Sequence, residues 1–182
     1  MRYSAGAIVL HWAIAILVAF NFAAAWVAED MPKDQAMQVM GNHKAIGLTI
    51  LVLTVLRIVW RITHRPPPLS ATLKTWEAGL SRAVHSLFYV LMIAVPLMGW
   101  ALHSAFSGGK PVPVFGLFSY PGLPLAQDKA QGELFAQIHG TLAVVMLALL
   151  ALHVAGALKH ALIDRDGEMR RMWFGRGQPE SE

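Results

Sequence analysis

Eight histidines are spread over a chain of 182 residues, and several fall inside long apolar stretches. The stretch QIHGTLAVVMLALLALHVAGALKHALI, residues 137–163, carries three of them: His139, His153 and His160. They stand fourteen and then seven positions apart. At about 100° per residue, an α-helix brings His153 to within about 40° of His139 and His160 about 20° further round, so the three share one face. A rise of ~1.5 Å per residue separates His139 from His153 by about 21 Å along the axis. Imidazole nitrogens ligate metal ions, exchange protons and donate hydrogen bonds. An ionisable group at membrane depth is costly to bury, which makes each of these a candidate functional residue.

The other apolar stretches offer partners at matching depths. His11 falls in the first and His43 at the start of the second, while His85 and His103 fall near the start and end of the third. Two levels result, with His43 beside His139 at one and His11 beside His153 at the other. Two imidazoles from facing helices, one on each side of a flat ring, are the axial ligand set of a low-spin b-type haem in a bundle core. Iron with both axial positions filled favours electron transfer over oxygen binding, and two stacked sites make a redox path across most of a membrane. His85 and His160 are open to three readings: alternative ligands at the His11 level, donors to the carbonyl oxygens of a quinone, or interfacial polar residues. His64, beside Arg65, and His103 read as hydrogen-bonded surface histidines. Arg57 and Arg61, one turn apart, suit anionic haem propionates, Arg57 being the deeper; helix-end arginines also snorkel to lipid headgroups. Lys44, next to His43, either serves the second haem in the same way or sits in water. The methionines read as packing.

These residues need helices to hold them at fixed depth. The chain is 55% hydrophobic and only 14% charged, against about 25% charged in soluble domains, and its mean hydropathy is +0.48. About 20 apolar residues cross a bilayer as a helix. Four segments qualify, at about 5–28, 45–62, 83–102 and 134–163. The expected fold is therefore all-α: an integral membrane four-helix bundle, one domain over residues 1–182 with a basic tail at 164–182. The first segment is too long for the apolar region of an ordinary signal peptide, and His11 interrupts it, so it reads as a retained helix. EDMPKDQ (29–35) reads as a polar link and RPPPLS (65–70) as a helix stop. SGGKPVPVFGLFSYPGLP (107–124) reads as an interfacial loop whose aromatics pack over the bundle end. Pro96 is expected to kink the third helix.

Eleven of the fifteen Lys and Arg residues fall on one side of this topology and four on the other. The positive-inside rule then puts both termini in the cytoplasm. The positive charge does not point to nucleic acid, because the basic residues cap apolar runs rather than forming a polar module. With no cysteine, disulfides, thiolate metal sites and covalent haem attachment are excluded.

Read in order, LHWAIA (10–15), NHKAIG (42–47), HSLFYVLMIAVPLMGW (85–100), KPVPVFGLF (110–118), IHGTLA (138–143) and LHVAGALKH (152–160) resemble the bacterial cytochrome b561 family over about residues 3–165. The resemblance implies two b haems in the bacterial inner membrane and electron exchange with ubiquinone. Carried over by position, His11 and His153 would ligate the cytoplasmic haem and His43 and His139 the periplasmic one. His85 and His160 match positions linked to the quinone in the best-known member. That member's activity implies an oxidoreductase that oxidises periplasmic superoxide and reduces ubiquinone. Lys33, Lys44, Lys110 and Lys129 would form a basic outer rim, although Glu29, Asp30, Asp34, Asp128 and Glu133 share that side, so steering of an anion has to come from local clustering. A haem-bearing anchor serving a partner dehydrogenase or hydrogenase is the competing reading, and a transporter or metal carrier using the histidines is a third. A homo-oligomer or a redox partner subunit stays open.

Overall fold

The computed structural model describes residues 2–68 and 74–173. Leu69 and Ser70 of the RPPPLS stop, and the tail from 174 that includes Arg176, lie outside the described residues. Four long helices account for most of the chain: α1 (Ala5–Glu29), α2 (Lys33–Thr63), α3 (Thr75–Ser107) and α4 (Lys129–Leu158). All four are long and apolar enough to cross a membrane. In hydrocarbon the backbone groups must bond within the segment, which is what a continuous helix provides. Large apolar side chains such as Phe20, Trp26, Val144 and Leu162 are exposed on the outer surface, as lipid-facing positions are.

The helices run well past the apolar windows. α2 begins at Lys33, behind Pro32 at its N-cap, so most of the expected 29–35 link is helical. Hydropathy marks only where lipid is met, and a helix continues through polar residues once its backbone ladder is formed. α2 ends at Thr63, with His64 extended, just before the three prolines. α3 contains Pro96 and closes on Gly108 in the left-handed conformation. Past α3 the chain forms a small hairpin, β1 (Val112–Val114) antiparallel to β2 (Phe118–Tyr120). Its turn uses Phe115 at φ 50° and Gly116 at φ 72°. Val112 and Val114 are buried, whereas Phe115 and Phe118 are exposed; the aliphatic side chains, not the aromatic ones, seat this segment on the bundle. α4 is capped by Asp128, whose carboxylate accepts the Gln131 N–H at 3.0 Å. It runs on into a π-helical turn (Lys159–Asp164) and a short 3-10 helix (Glu168–Met172).

Neighbouring helices pack in chain order, α1 on α2, α2 on α3 and α3 on α4, while α4 approaches α1 and α2 far less closely. Close approach is set locally by glycine. A Cβ on Gly6 would fall 2.3 Å from the Trp60 ring, and one on Gly132 2.8 Å from Phe106. A buried cluster of Ile14, Val18, Ile50, Leu91, Met92, Val95 and Met146 fills mid-bundle. The first and last described residues lie at one end of the bundle. There the Trp12 indole N–H donates to the Met172 carbonyl at 2.8 Å, Tyr3 N–H donates to the Arg171 carbonyl, and Arg2 bonds the Trp173 carbonyl. The other end carries the hairpin.

Ser104, fully buried on α3, accepts the Leu123 N–H at 3.0 Å and pins the 121–128 connection to the helix. Ser104→Ala leaves that N–H without its acceptor, which costs about 1–3 kcal/mol. The thermal midpoint in detergent is expected to drop accordingly; an unchanged midpoint would show that the connection is held by other contacts.

Candidate metal centres

Four of the eight histidines, His43, His85, His139 and His153, fall on a seven-residue repeat that runs through three helices. On α4 the positions are His139, Met146 and His153, with His160 one step further in the π-helical turn; on α2, His43, Ile50 and Arg57; on α3, His85, Met92 and Gly99. Residues seven apart face one seam of a helical bundle. The seams meet in layers. His43, Gly99 and His139 form a layer toward the hairpin end, the buried Ile50, Met92 and Met146 lie in the middle, and Arg57, His85 and His153 are joined by His11 toward the termini.

In the hairpin-end layer the rings of His43 and His139 lie 6.2 Å apart, centre to centre, at 81°. In the termini-end layer His11 and His153 lie 6.3 Å apart at 78°. A metal–nitrogen bond of about 2.0–2.1 Å on each side, added to the reach from nitrogen to ring centre, places two imidazole centres about 6 Å apart. The near-perpendicular planes are compatible with axial ligation, since a ring can turn about its metal–nitrogen bond. Both pairs join helices that do not otherwise pack closely, α2 with α4 and α1 with α4, so each pair spans a gap in the bundle. The donor set and its spacing fit a metal held between two imidazoles inside a flat macrocycle.

The two layers differ in how the rings are held. The His43 Nδ1–H donates to the Asn21 carbonyl at 3.1 Å, and the His139 Nδ1–H to the Val95 carbonyl at 2.9 Å. Each bond fixes the ring and leaves the Nε2 lone pair free, the arrangement that supports a metal-binding histidine. Gly99 makes room for this: a Cβ there would meet the His139 ring at 3.1 Å. The Asn21 side-chain oxygen is buried with no hydrogen-bond partner among the described residues. In the other layer, Arg57 Nη1 donates to His11 Nδ1 at 3.0 Å. A guanidinium only donates, so here Nδ1 is the acceptor and Nε2 carries the proton, the opposite tautomer to that of His43 and His139.

His85 lies 5.6 Å from His153, ring to ring, and is exposed on the bundle surface. His160 is turned to carboxylates: its Nδ1 is 2.7 Å from Asp166 Oδ2 and 3.2 Å from Asp164 Oδ2. Arg57 and Arg61 both stand over the Tyr89 ring, at 5.8 and 5.9 Å, and line a cleft with Tyr3, Trp60 and His64. His64 stacks on Trp60 at 4.0 Å, and the His103 Nε2–H donates to the Lys110 carbonyl at 3.2 Å. Lys44 is half-buried beside His43 with no ion-pair partner among the described residues. Sequence reasoning did not single out Gly99, Asn21, Tyr89 or Asp166. Only Gly99 had a signal there, its fourteen-residue offset from His85.

The prokaryotic cytochrome b561 family profile matches residues 2–175. Cytochrome b561 homolog 2 of Escherichia coli (strain K12) is 32% identical over 173 residues, covering 94% of this chain and 90% of that protein. The probable superoxide oxidase CybB of Yersinia pestis is 26% identical over 171 residues, covering 94% and 95% respectively. Cytochrome b562 of Cereibacter sphaeroides is 29% identical over 171 residues, covering 91% and 90%. A bundle of four membrane-crossing helices with imidazoles paired across its gaps, matched over nearly its whole length, makes this chain a member of the prokaryotic cytochrome b561 family, a multi-pass membrane protein of b-type haem electron transfer.

Proposed function

We propose that the chain carries two b haems and moves electrons across the bacterial inner membrane, from superoxide at the hairpin end to ubiquinone at the termini end. The observation that carries this reading is the pair of imidazole separations, 6.2 and 6.3 Å, at two heights on one stripe of α4. His43 and His139 are assigned to one iron, His11 and His153 to the other. Haem held there by these imidazoles would supply one-electron chemistry. The termini end, which carries most of the basic residues, is placed in the cytoplasm by the positive-inside rule.

The chain's own residues do the rest. Asn21 and Val95 carbonyls hold the tautomers of His43 and His139. His11 would help hold one haem, and Arg57, bonded to His11 Nδ1 at 3.0 Å, would be the cation available to a haem propionate there. Lys44 is placed to do the same in the other layer and to draw in anionic superoxide. His85, exposed beside His153, and His160 are placed to meet a quinone from the membrane. Two superoxide ions each give up one electron and leave as dioxygen, and the quinone takes two electrons and two protons. One relative bears the superoxide oxidase name, which supports this donor.

Purified protein is expected to show dithionite-reduced b-type bands and two haems per chain. His139→Ala and His153→Ala should each abolish a different one, and loss of the same haem from both would overturn the pairing. Gly99→Val, which crowds the His139 ring without replacing a ligand, is expected to copy His139→Ala in the haem count while sparing the other haem; retention of both would show that the ring has room to shift.

A superoxide pulse is expected to reduce the isolated protein, with ubiquinone then reoxidising it, in the absence of any second polypeptide. Dependence on a co-purified dehydrogenase or hydrogenase would instead establish the anchor role.

A further inference from the structure

Reduction of a quinone needs protons as well as electrons, and among the described residues the two histidine layers hold no carboxylate. Three carboxylates among the described residues, Asp164, Asp166 and Glu168, are gathered where α4 ends. Leu158 passes into the π-helical turn Lys159–Asp164, Arg165 and Gly167 take the left-handed conformation at φ 53° and 80°, and a 3-10 helix follows. Single π turns widen a helix and recur at functional sites. This one carries His160, seven residues and so about 10.5 Å below His153 on the same stripe. The reversal of the chain then brings Asp166 back against it.

The two carboxylates at His160 are not equivalent. Asp164 Oδ2, at 3.2 Å, is already matched by Lys159 Nζ, which also reaches Glu77 Oε1 on α3 at 3.0 Å. Asp166 Oδ2 is nearer, at 2.7 Å, and its side chain is 11% exposed against 31% for Asp164. Its other oxygen accepts the Glu168 N–H at 3.0 Å, so the carboxylate is held from both sides. Burial pushes the Asp166 carboxyl up, but the Glu168 N–H and His160 bonds outweigh it and leave the group below the usual carboxylate range. Glu168 itself is paired with Arg171 at 3.1 Å. The charged groups around His160 are therefore Lys159, Asp164 and Asp166 on its own segment, Glu77 on α3, and the Glu168–Arg171 pair on the 3-10 helix.

We propose that Asp166 is a positioning residue that holds the Nδ1–H of His160, so that His160 Nε2 delivers protons to the quinone oxygen. The proposal rests on quinone reduction at the termini end. In each transfer the Nε2–H bond breaks with its electron pair left on the imidazole, and an O–H bond forms on the quinone as an electron arrives. Water at the termini end returns a proton to Nε2 before the second transfer. Two electrons and two protons convert the quinone to the quinol, and Asp166 stays ionised, stabilising the imidazolium between transfers in the manner of a carboxylate–histidine dyad.

The test uses the haem-loaded protein, chemically reduced and then mixed with the soluble probe ubiquinone-1 over about pH 5.5 to 9, with reoxidation followed at the b-type band. Asp166→Asn is expected to slow reoxidation about 10- to 100-fold at neutral pH, within the span of general acid catalysis. The alkaline fall of the rate should begin at lower pH, while haem content and the rate of reduction by superoxide stay as in the wild type. Asp166→Glu is expected to restore the rate to within a few-fold. His160→Gln should match Asp166→Asn, with the double variant no slower than either, as expected of residues acting as one unit. If the wild type itself is not reoxidised by ubiquinone-1 at any pH, the quinone reading fails. If the wild type is reoxidised and Asp166→Asn keeps its rate and pH profile, or loses rate without any shift of profile or rescue by glutamate, the dyad is refuted and the quinone reading stands. Should Asp166→Asn not assemble, His160→Gln and Asp166→Glu decide the matter on the same two readouts.

Discussion

A polar side chain inside hydrocarbon must find its partner within the protein, and the interior of this bundle is organised around that requirement. Partners can meet only where seams from different helices come to the same height. The seven-residue spacing of His139, Met146 and His153 on α4, of His43, Ile50 and Arg57 on α2, and of His85, Met92 and Gly99 on α3 supplies such heights. Polar groups therefore fall in discrete layers rather than scattering along the helices. The buried layer between them, Ile50, Met92 and Met146 with Val18 from α1, keeps water out. It also sets the vertical separation of the two imidazole pairs, because each layer step is two helical turns, about 10.5 Å.

The layers are built alike but finished differently. Toward the hairpin end, α3 contributes Gly99 and so yields space to a ring whose tautomer a backbone carbonyl already fixes. Toward the termini, α3 contributes His85 at the equivalent position, and α2 contributes a guanidinium bonded to His11. The first arrangement is preorganised for a neutral ligand set. The second gathers three imidazoles and a cation with no carboxylate among the described residues of the layer, a set that calls for an anion. On the proposed reading, haem propionate answers that call, and cationic surroundings favour arrival of an electron at this end.

Much of this was legible in the sequence. Span count follows from apolar length, and the two histidine levels follow from helical rise alone, because both properties belong to single segments. The extent of α2 did not, since hydropathy reports contact with lipid and says nothing about where a helix stops in headgroups or water. Nor did the hairpin, where short β-strands are bounded by the same Gly and Pro residues that mark a loop. Gly99 is silent as a residue type; its meaning is the His139 ring 3.1 Å from where its Cβ would stand. Asp166 read as one charge in a polar tail. Its role depends on a π turn and a left-handed reversal that fold it back onto α4, and these are set by the chain's return path rather than by any local pattern.

That return path joins the two halves of the proposed chemistry. The segment that brings Asp166 to His160 runs on to place the Met172 carbonyl on the Trp12 indole and Trp173 against the same ring, 5.3 Å between centres. Trp12 is the immediate neighbour of His11, with the two rings 5.5 Å apart. Arg171 ties the strap to Glu168, to the Pro68 carbonyl beyond α2 and to the face of Tyr3. A carboxylate that serves the far end of α4 and an indole that backs a histidine of α1 are thus held by one stretch of about ten residues. Movement of the strap would loosen both together, so proton delivery and the packing behind His11 share a single structural support, although more than 150 residues of chain separate His11 from Asp166.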